Sequence, residues 1–384
     1  MLRGLQRRAA RNRRVVSVTR VTVRRPGTAA AKLVDVATRI VIIGGGPAGY
    51  EAALVAAGRG PDVAQVTIVD ADGIGGACVL WDCVPSKTFI ASTGVRTELR
   101  RANGLGFDIA IEDAKISLEQ IHNRVKTLAR SQSADIGSNL LREGVTVVQG
   151  RGELVDDVPG MAHHRVKVTT RDGKVGVLKA DVVLIATGAS PRVLPQAKPD
   201  GERILNWRQL YDLTELPEHL VIVGSGVTVA EFCNAYTELG VPVTVVASRD
   251  QILPHEDSDA AAVLEEAFAE RGVKLVKNAR ADSVTRTADG VRVAMADGRT
   301  VEGSHALMTV GSVPNTGGLG LDRVGPFRTA AVARDDARGD PLDQFAQVGT
   351  QVLHHGIEDE QARPEQEHEQ HQQRRQRRRR AGAR

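Results

Sequence analysis

Two cysteines, Cys78 and Cys83, stand five positions apart in the run Gly75-Gly76-Ala77-Cys78-Val79-Leu80-Trp81-Asp82-Cys83-Val84-Pro85-Ser86-Lys87. Thiols at that spacing can bridge across a turn of helix, so the segment reads either as a redox pair or as two ordinary thiols. A structural zinc ion would need two further ligands, and the sequence has no second cysteine pair, so no metal site is expected. The third cysteine, Cys233, reads as a small buried apolar residue. Three cysteines do not build a secreted disulfide framework, which favours a reducing, cytoplasmic setting.

Two glycine-rich segments could hold phosphate. Gly44-Gly45-Gly46-Pro47-Ala48-Gly49 has the GxGxxG spacing directly after the apolar run Ile40–Ile43. In that pattern Gly44 permits a tight turn, Gly46 lets backbone N–H groups approach a pyrophosphate, and Gly49 lets helix and sheet pack closely. Asp70 ends the next apolar run and is placed to accept from ribose hydroxyls. The second segment, Gly224-Ser225-Gly226-Val227-Thr228-Val229, keeps the two phosphate-facing glycines but has Val229 at the third position. A valine there is expected to push the helix slightly off its strand. No acid ends the following strand; Ala247-Ser248-Arg249 stands there, and Arg249 would tolerate a 2′-phosphate, favouring NADPH over NADH.

The elements around these segments alternate. Strand-like runs at Ile40–Ile43 and Val66–Val69 bracket a helix-like Tyr50–Ala57, a βαβ unit. Residues 115–142 read as helical, and Val145–Val148, Val166–Thr169, Val175–Leu178 and Asp181–Ala186 as strands. A second βαβ unit begins at Leu220–Val223 and continues through Val243–Val246, with strands near Val273–Val276, Val291–Met295 and Ala306–Val310. The expected architecture is α/β with two Rossmann-like nucleotide-binding domains, at residues 37–205 and 206–325.

The 384 residues carry a formal charge of +4, and the pI near 9.1 invites a nucleic-acid reading. The basicity is confined to the ends: residues 1–34 carry +10 and residues 371–384 carry +7, leaving −13 for residues 35–370. Aromatic residues make up 3%, too few for base-stacking platforms, so nucleic acid is not an expected partner. No apolar run approaches the roughly 20 residues needed to cross a bilayer. Residues 1–36 read as a basic, disordered extension. Residues 326–384 concentrate 11 Arg and 9 Gln and read as a low-complexity, disordered tail, as a change of reading frame would produce.

Taken together, the glycine loops and the cysteine run resemble the FAD-dependent pyridine nucleotide–disulfide oxidoreductases, the family of dihydrolipoyl dehydrogenase, glutathione reductase and mercuric reductase. The cysteine segment is similar to the family's GGxCxxxxCxPSK element. Ala186-Thr187-Gly188-Ala189-Ser190-Pro191 is similar to its ATGxxP strand, and Gly311-Ser312-Val313-Pro314-Asn315 to its GRxPN motif, with Ser312 in place of arginine. Thr88–Ser92 and Asn206–Asp212 look most like a bacterial branch of NAD(P)H-quinone dehydrogenases. The resemblance covers residues 38–325.

It implies FAD and NADPH or NADH as cofactors, with hydride passing from NAD(P)H through the flavin to a quinone or a disulfide. By the same resemblance, Cys83 takes the charge-transfer thiolate role and Cys78 exchanges with a disulfide substrate. Lys87 supplies the field that lowers a thiol pKa, and Glu231 pairs with that lysine near the flavin. Gly76 belongs to the redox element, Gly152 meets the adenine end of FAD, and Thr187, Gly188 and Gly311 line the cofactor. The family's second FAD motif, a strand ending in Gly-Asp, should follow Gly325 and is not found. The C-terminal interface domain of the family's homodimer is also missing, and His355 and Glu360 do not replace its acid–base pair. A catalytically inactive remnant that at most binds nucleotides is therefore the alternative expectation.

Overall fold

A computed structural model describes residues 37–107, 115–156 and 163–323. The expectations for residues 1–36, for the segment after Gly325, and for His355 and Glu360 lie outside the described residues.

The first domain opens with β1 (Thr38–Ile43), α1 (Pro47–Ala57) and β2 (Ala64–Asp70). The redox run follows as α2 (Gly76–Leu80) and α3 (Cys83–Gly104), then α4 (Leu118–Arg142). Next come β3 (Thr146–Val155), β4 (His164–Thr170), β5 (Val175–Ala180) and β6 (Val182–Ile185). These strands form one sheet in the order β5-β4-β3-β2-β1-β6. β3, β2, β1 and β6 run parallel, whereas β3, β4 and β5 pair antiparallel. β3 therefore plays two parts: Thr146–Gln149 pairs with β2 and Gly150–Val155 with β4.

Alternation along β1 explains why this sheet is covered on both faces. Ile42 points into a core with Ala53 of α1 and with Ile136 and Leu140 of α4. Val41 and Ile43 point the other way, onto Leu154, Val166, Val168 and Leu319. Strands buried on both faces read as continuous apolar runs, the signal that marked them in the sequence.

β7 (Ala189–Pro191) leads out of this sheet, and β8 (Ile204–Asn206) enters the second one. That domain continues with β9 (Leu220–Val223), α5 (Val227–Glu238), β10 (Val243–Val246), α6 (Ser258–Glu270) and β11 (Lys274–Val276). β12 (Ala281–Arg286), β13 (Val291–Met295) and β14 (Thr300–Gly303) form an antiparallel sheet, followed by β15 (His305–Met308) and β16 (Ser312–Pro314). The parallel sheet has the order β11-β10-β9-β15-β8. The four residues of β9 are all buried, with Leu220 and Ile222 on the α5 side and Val221 and Val223 facing the antiparallel sheet. The chain is thus mixed α/β with two parallel-sheet halves, in line with the expected architecture. β8 begins two residues ahead of the expected boundary at 206 and belongs to the second sheet.

α3 joins the two halves. Phe89 lies in a cluster of rings with His122 of α4, Tyr211 of the connecting segment, and Phe232 and Tyr236 of α5. The buried Glu238 accepts from Thr93 Oγ1 at 2.9 Å and from Thr97 Oγ1 at 3.3 Å, fixing α3 against α5.

Candidate active site

The glycine loop after β1 is shaped by close approaches. Gly44 has φ +112°, and a Cβ there would lie 2.2 Å from the Ala186 carbonyl oxygen. A Cβ on Gly49 would lie 1.9 Å from the Gly44 oxygen. Both positions exclude a side chain because the loop is wedged between the end of β6 and the first turn of α1. Gly46 differs: it starts α1 in an extended conformation, and the nearest atom to its Cβ is the Gly76 Cα at 3.9 Å. Among the described residues no other atom comes within 4 Å of that Cβ position. An open helix N-terminus with a vacant Cβ position fits a pyrophosphate.

Asp70 ends β2 beside this loop. Its Oδ2 accepts from Gly45 N at 2.7 Å and its Oδ1 from Gly73 N, and the residue is buried. The carboxylate clasps the two loops of the cradle together, leaving one further lone pair on each oxygen for ribose hydroxyls. Gly152 packs over β1, where a Cβ would lie 3.1 Å from Ile43 Cγ2.

The redox run meets this cradle edge to edge. Gly76 has φ +57°, and a Cβ on it would lie 2.7 Å from the Gly46 Cα. Gly76 starts α2, which carries the half-buried Cys78; Cys83 starts α3, and both thiols are free. Lys87, one turn into α3, forms an ion pair with Glu231 of α5, and Ser86 Oγ lies 3.4 Å from the same ammonium. Burial works against the Lys87 charge, but the Glu231 hydrogen bond overrides it and holds the ammonium above its ordinary pKa.

Lys87 acts to lower the Cys83 pKa, but other causes outweigh it and the thiol is pushed up to about 11. Partial burial of the sulfur is the largest cause, followed by its hydrogen bond with Cys78 and by the Asp82 carboxylate. Lys87 opposes these, but its charge is already matched by Glu231.

The end of β6 is tied to the last described motif by one asparagine. Thr187 Oγ1 donates to Asn315 O at 2.8 Å, and Asn315 Nδ2 donates to Thr187 O at 2.9 Å. Asn315 N donates to Gly188 O at 2.9 Å, and Ser190 Oγ to Asn315 Oδ1 at 2.8 Å. β7 and β16 pair antiparallel beside this knot, and Arg192 N donates to Gly311 O at 2.9 Å.

In the second half, a Cβ on Gly224 would lie 2.4 Å from Thr309 O, whereas none of the surrounding atoms comes within 4 Å of a Cβ on Gly226. The pair repeats the wedged glycine and open glycine of the first loop. Val229 is fully buried among Ile222, Phe232 and Val245, so the third position is filled by core packing. Ser248 and Arg249 are exposed just past the end of β10.

Sequence reasoning missed two parts of the site. Asp82, between the two thiols, was readable from its position beside Cys83. The Arg208 guanidinium lies 5.9 Å from the Trp81 ring and 5.3 Å from the Trp207 ring, with Asp72 Oδ2 at 3.8 Å. No local spacing announces that stack, because Trp81 and Arg208 lie far apart in the sequence.

Two nucleotide-type βαβ halves, with a dithiol segment abutting the first cradle and a lysine–glutamate pair linking the halves, define a two-nucleotide oxidoreductase fold. The chain belongs to the pyridine nucleotide-disulphide oxidoreductase family, whose pattern matches residues 38–350. It is 73% identical over 288 residues to an NAD(P)H dehydrogenase (quinone) of Mycobacterium tuberculosis strain H37Rv, covering 75% of this chain and 58% of that relative. A dihydrolipoyl dehydrogenase of Zymomonas mobilis is 32% identical over 290 residues, covering 74% and 60%. The crystal structure of LpdA from Mycobacterium tuberculosis superposes with a TM-score of 0.71 at 72% identity, covering 75% of this chain and 61% of that one. The chain thus spans less than two thirds of the length of these relatives. Enzymes of this family use FAD and NAD(P)H.

Proposed function

We propose that this chain is the nucleotide-binding portion of a flavin-dependent oxidoreductase that takes hydride from NAD(P)H and reduces a quinone or, through Cys78 and Cys83, a disulfide. The observation that carries this reading is the contact of Gly46 with Gly76. It puts an open pyrophosphate cradle and a dithiol helix on one shared edge. FAD, when bound, supplies two-electron transfer between the nicotinamide and the acceptor. The residues that would hold it are Gly44, Gly46, Gly49, Asp70 and Gly76, with Gly152, Thr187, Gly188 and Gly311 along its length.

The remaining work falls to this chain's own groups. Lys87, anchored by Glu231, presents a fixed positive charge beside Cys83. Gly224 and Gly226 open the α5 N-terminus to a second nucleotide, and Arg249 matches a 2′-phosphate, which favours NADPH. A cysteine pair that cycles between dithiol and disulfide suits a reducing, cytoplasmic compartment. A homodimer is the assembly we infer from the family. Among the described residues no helix is long and apolar enough to cross a membrane, and the acceptor is a small molecule.

The test is direct. The purified chain should carry or take up FAD, bleach with NADPH without oxygen, and turn over menadione. A colourless chain that cannot be reconstituted with FAD overturns the reading and leaves an inactive remnant.

A further inference from the structure

Both tryptophans of the chain stand against one cation. The Arg208 guanidinium carbon lies 5.3 Å from the centre of the buried Trp207 ring and 5.9 Å from that of the exposed Trp81 ring. The backbone at Arg208 is fixed as well: its N–H donates to Asn206 Oδ1 at 2.9 Å, and Asn206 N donates to Gln209 Oε1 at 3.0 Å. The head of the side chain, in contrast, is uncommitted. Among the described residues none accepts from the five N–H donors of the guanidinium, and Nε is buried without a partner. Asp72, in the loop after β2, brings its Oδ2 only to 3.8 Å, beyond hydrogen-bond reach. By comparison, Arg39, Arg292 and Arg299 hold carboxylates at 2.7, 2.8 and 2.6 Å. The position matters too. Trp81 belongs to the turn that separates Cys78 from Cys83, and Asp72 lies two residues past Asp70, which clasps the first glycine loop.

We propose that Arg208 is an oxyanion-binding fork, which takes a carboxylate or phosphate group of a ligand at the outer side of the dithiol turn. A guanidinium offers parallel N–H donors to two oxygens at once, a match to either group that an ammonium does not provide. Aromatic rings hold a guanidinium through its face and leave its edge free for such bonds. A head already fixed by two rings and a braced backbone also loses less freedom on binding than a solvated arginine does. Asp72 balances part of the charge from a distance at which it forms no hydrogen bond, so an arriving oxyanion has no existing bond to displace. A carboxylate would belong to the electron acceptor, and a phosphate to a nucleotide; the fork recognises the pair of oxygens that both carry. The assignment needs neither a bound flavin nor turnover.

Trp81 and Trp207 are the chain's two tryptophans, so selectively excited tryptophan emission reports on this site alone. Inorganic phosphate and malonate are titrated into the full chain against sodium chloride of equal ionic strength, with calorimetry of the same solutions as a second readout. Two charge-assisted hydrogen bonds correspond to half-saturation at about 1 mM. Arg208→Gln should weaken binding at least about tenfold, and Arg208→Lys, which keeps the charge without the fork, about threefold. Asp72→Asn removes a like charge from beside the bound anion and should tighten binding about threefold to tenfold, a gain that a damaged fold does not produce. Tighter malonate than phosphate binding assigns the fork to an acceptor carboxylate, and the reverse to a nucleotide phosphate. Three results overturn the proposal: no saturable response to either anion in both readouts, a response that chloride reproduces or Arg208→Gln retains, or Asp72→Asn binding no tighter than the wild type. Failure of the menadione assay would overturn the flavin reading without touching this result.

Discussion

Gly46 and Gly49 lie three residues apart in one loop, and the structure assigns opposite reasons for their lack of a side chain. In Gly49→Ala the new Cβ would meet the Gly44 carbonyl oxygen at 1.9 Å, where real Cβ atoms essentially never come under 3.0 Å. Backbone must give by about an ångström on a carbonyl already wedged against β6, so the cost is that of overpacking, about 1–3 kcal/mol. For a protein of this size each kcal/mol lowers Tm by about 2–4 °C, so a loss of about 2–12 °C is expected. In Gly46→Ala the Cβ meets only the Gly76 Cα at 3.9 Å, and the backbone is extended, which alanine adopts freely. Stability should change by no more than about 0.5 kcal/mol. If the proposed cradle holds the pyrophosphate, the added methyl group would intrude on it, so FAD affinity should fall at least about tenfold, or 1.4 kcal/mol. Thermal melts followed by circular dichroism, and FAD titrations followed by quenching of flavin fluorescence, separate the two. Wild-type FAD affinity in Gly46→Ala, or a wild-type melt in Gly49→Ala, refutes the assignment of Gly46 to the ligand and Gly49 to the fold.

Three further outcomes follow from the same structure. His122 is buried with Nδ1 2.8 Å from Leu213 O, and burial lowers its pKa to about 4. The unfolded chain therefore binds a proton near pH 6.5 that the folded chain refuses, and stability falls between pH 6.5 and about 4. The loss is about 1.4 kcal/mol at pH 5.5 relative to pH 8, and His122→Gln should remove it from a plot of melting temperature against pH. Asn315→Ala cuts the side-chain bonds to Thr187 O and Ser190 Oγ. It should cost about 1–3 kcal/mol in urea unfolding, whereas an unchanged midpoint would show that the knot carries no load. Finally, a double-mutant cycle between Arg208→Ala and Trp81→Ala should give a coupling of about 0.5–1 kcal/mol. A coupling near zero would reduce that stack to coincidence.

Much of the scaffold was legible because it obeys simple periodicity. β1 from Ile40 and the whole of β9 are unbroken apolar runs, and the runs of β2 from Val66 and of β10 are broken only by Thr67 and Thr244. Other elements were hidden for physical reasons. α3 begins at Cys83 with Pro85 in its first turn and carries Gly94 and several β-branched residues, so its apolar face is weakly marked. The antiparallel half of β3 carries Gly150 and Gly152, so the apolar run at Val145–Val148 does not continue into it. α6 did carry a start signal, Asp257 accepting from the amides of Asp259 and Ala260, and its omission was avoidable. At the site, the residue types were readable from motif spacing, and the pairing of Lys87 with Glu231 came from the family resemblance. The charge around Cys83 was not, because it depends on how three elements place Asp82, Lys87 and Glu231 together.

The placement of β6 has a consequence for how the chain folds. β1 pairs with β2 almost at once, but its other neighbour, Val182 opposite Ile40, is 142 positions away. The wall that closes over Gly44 is Ala186, directly after that late strand. The glycine loop after β1 thus cannot take its final shape until some 140 residues more have been made. Until then the backbone groups on the β6 side of β1 stay unpaired. Long-range closure of this kind slows folding and exposes apolar strand edges. A nascent chain stalled short of residue 182 should be the species that chaperones hold and proteases cut.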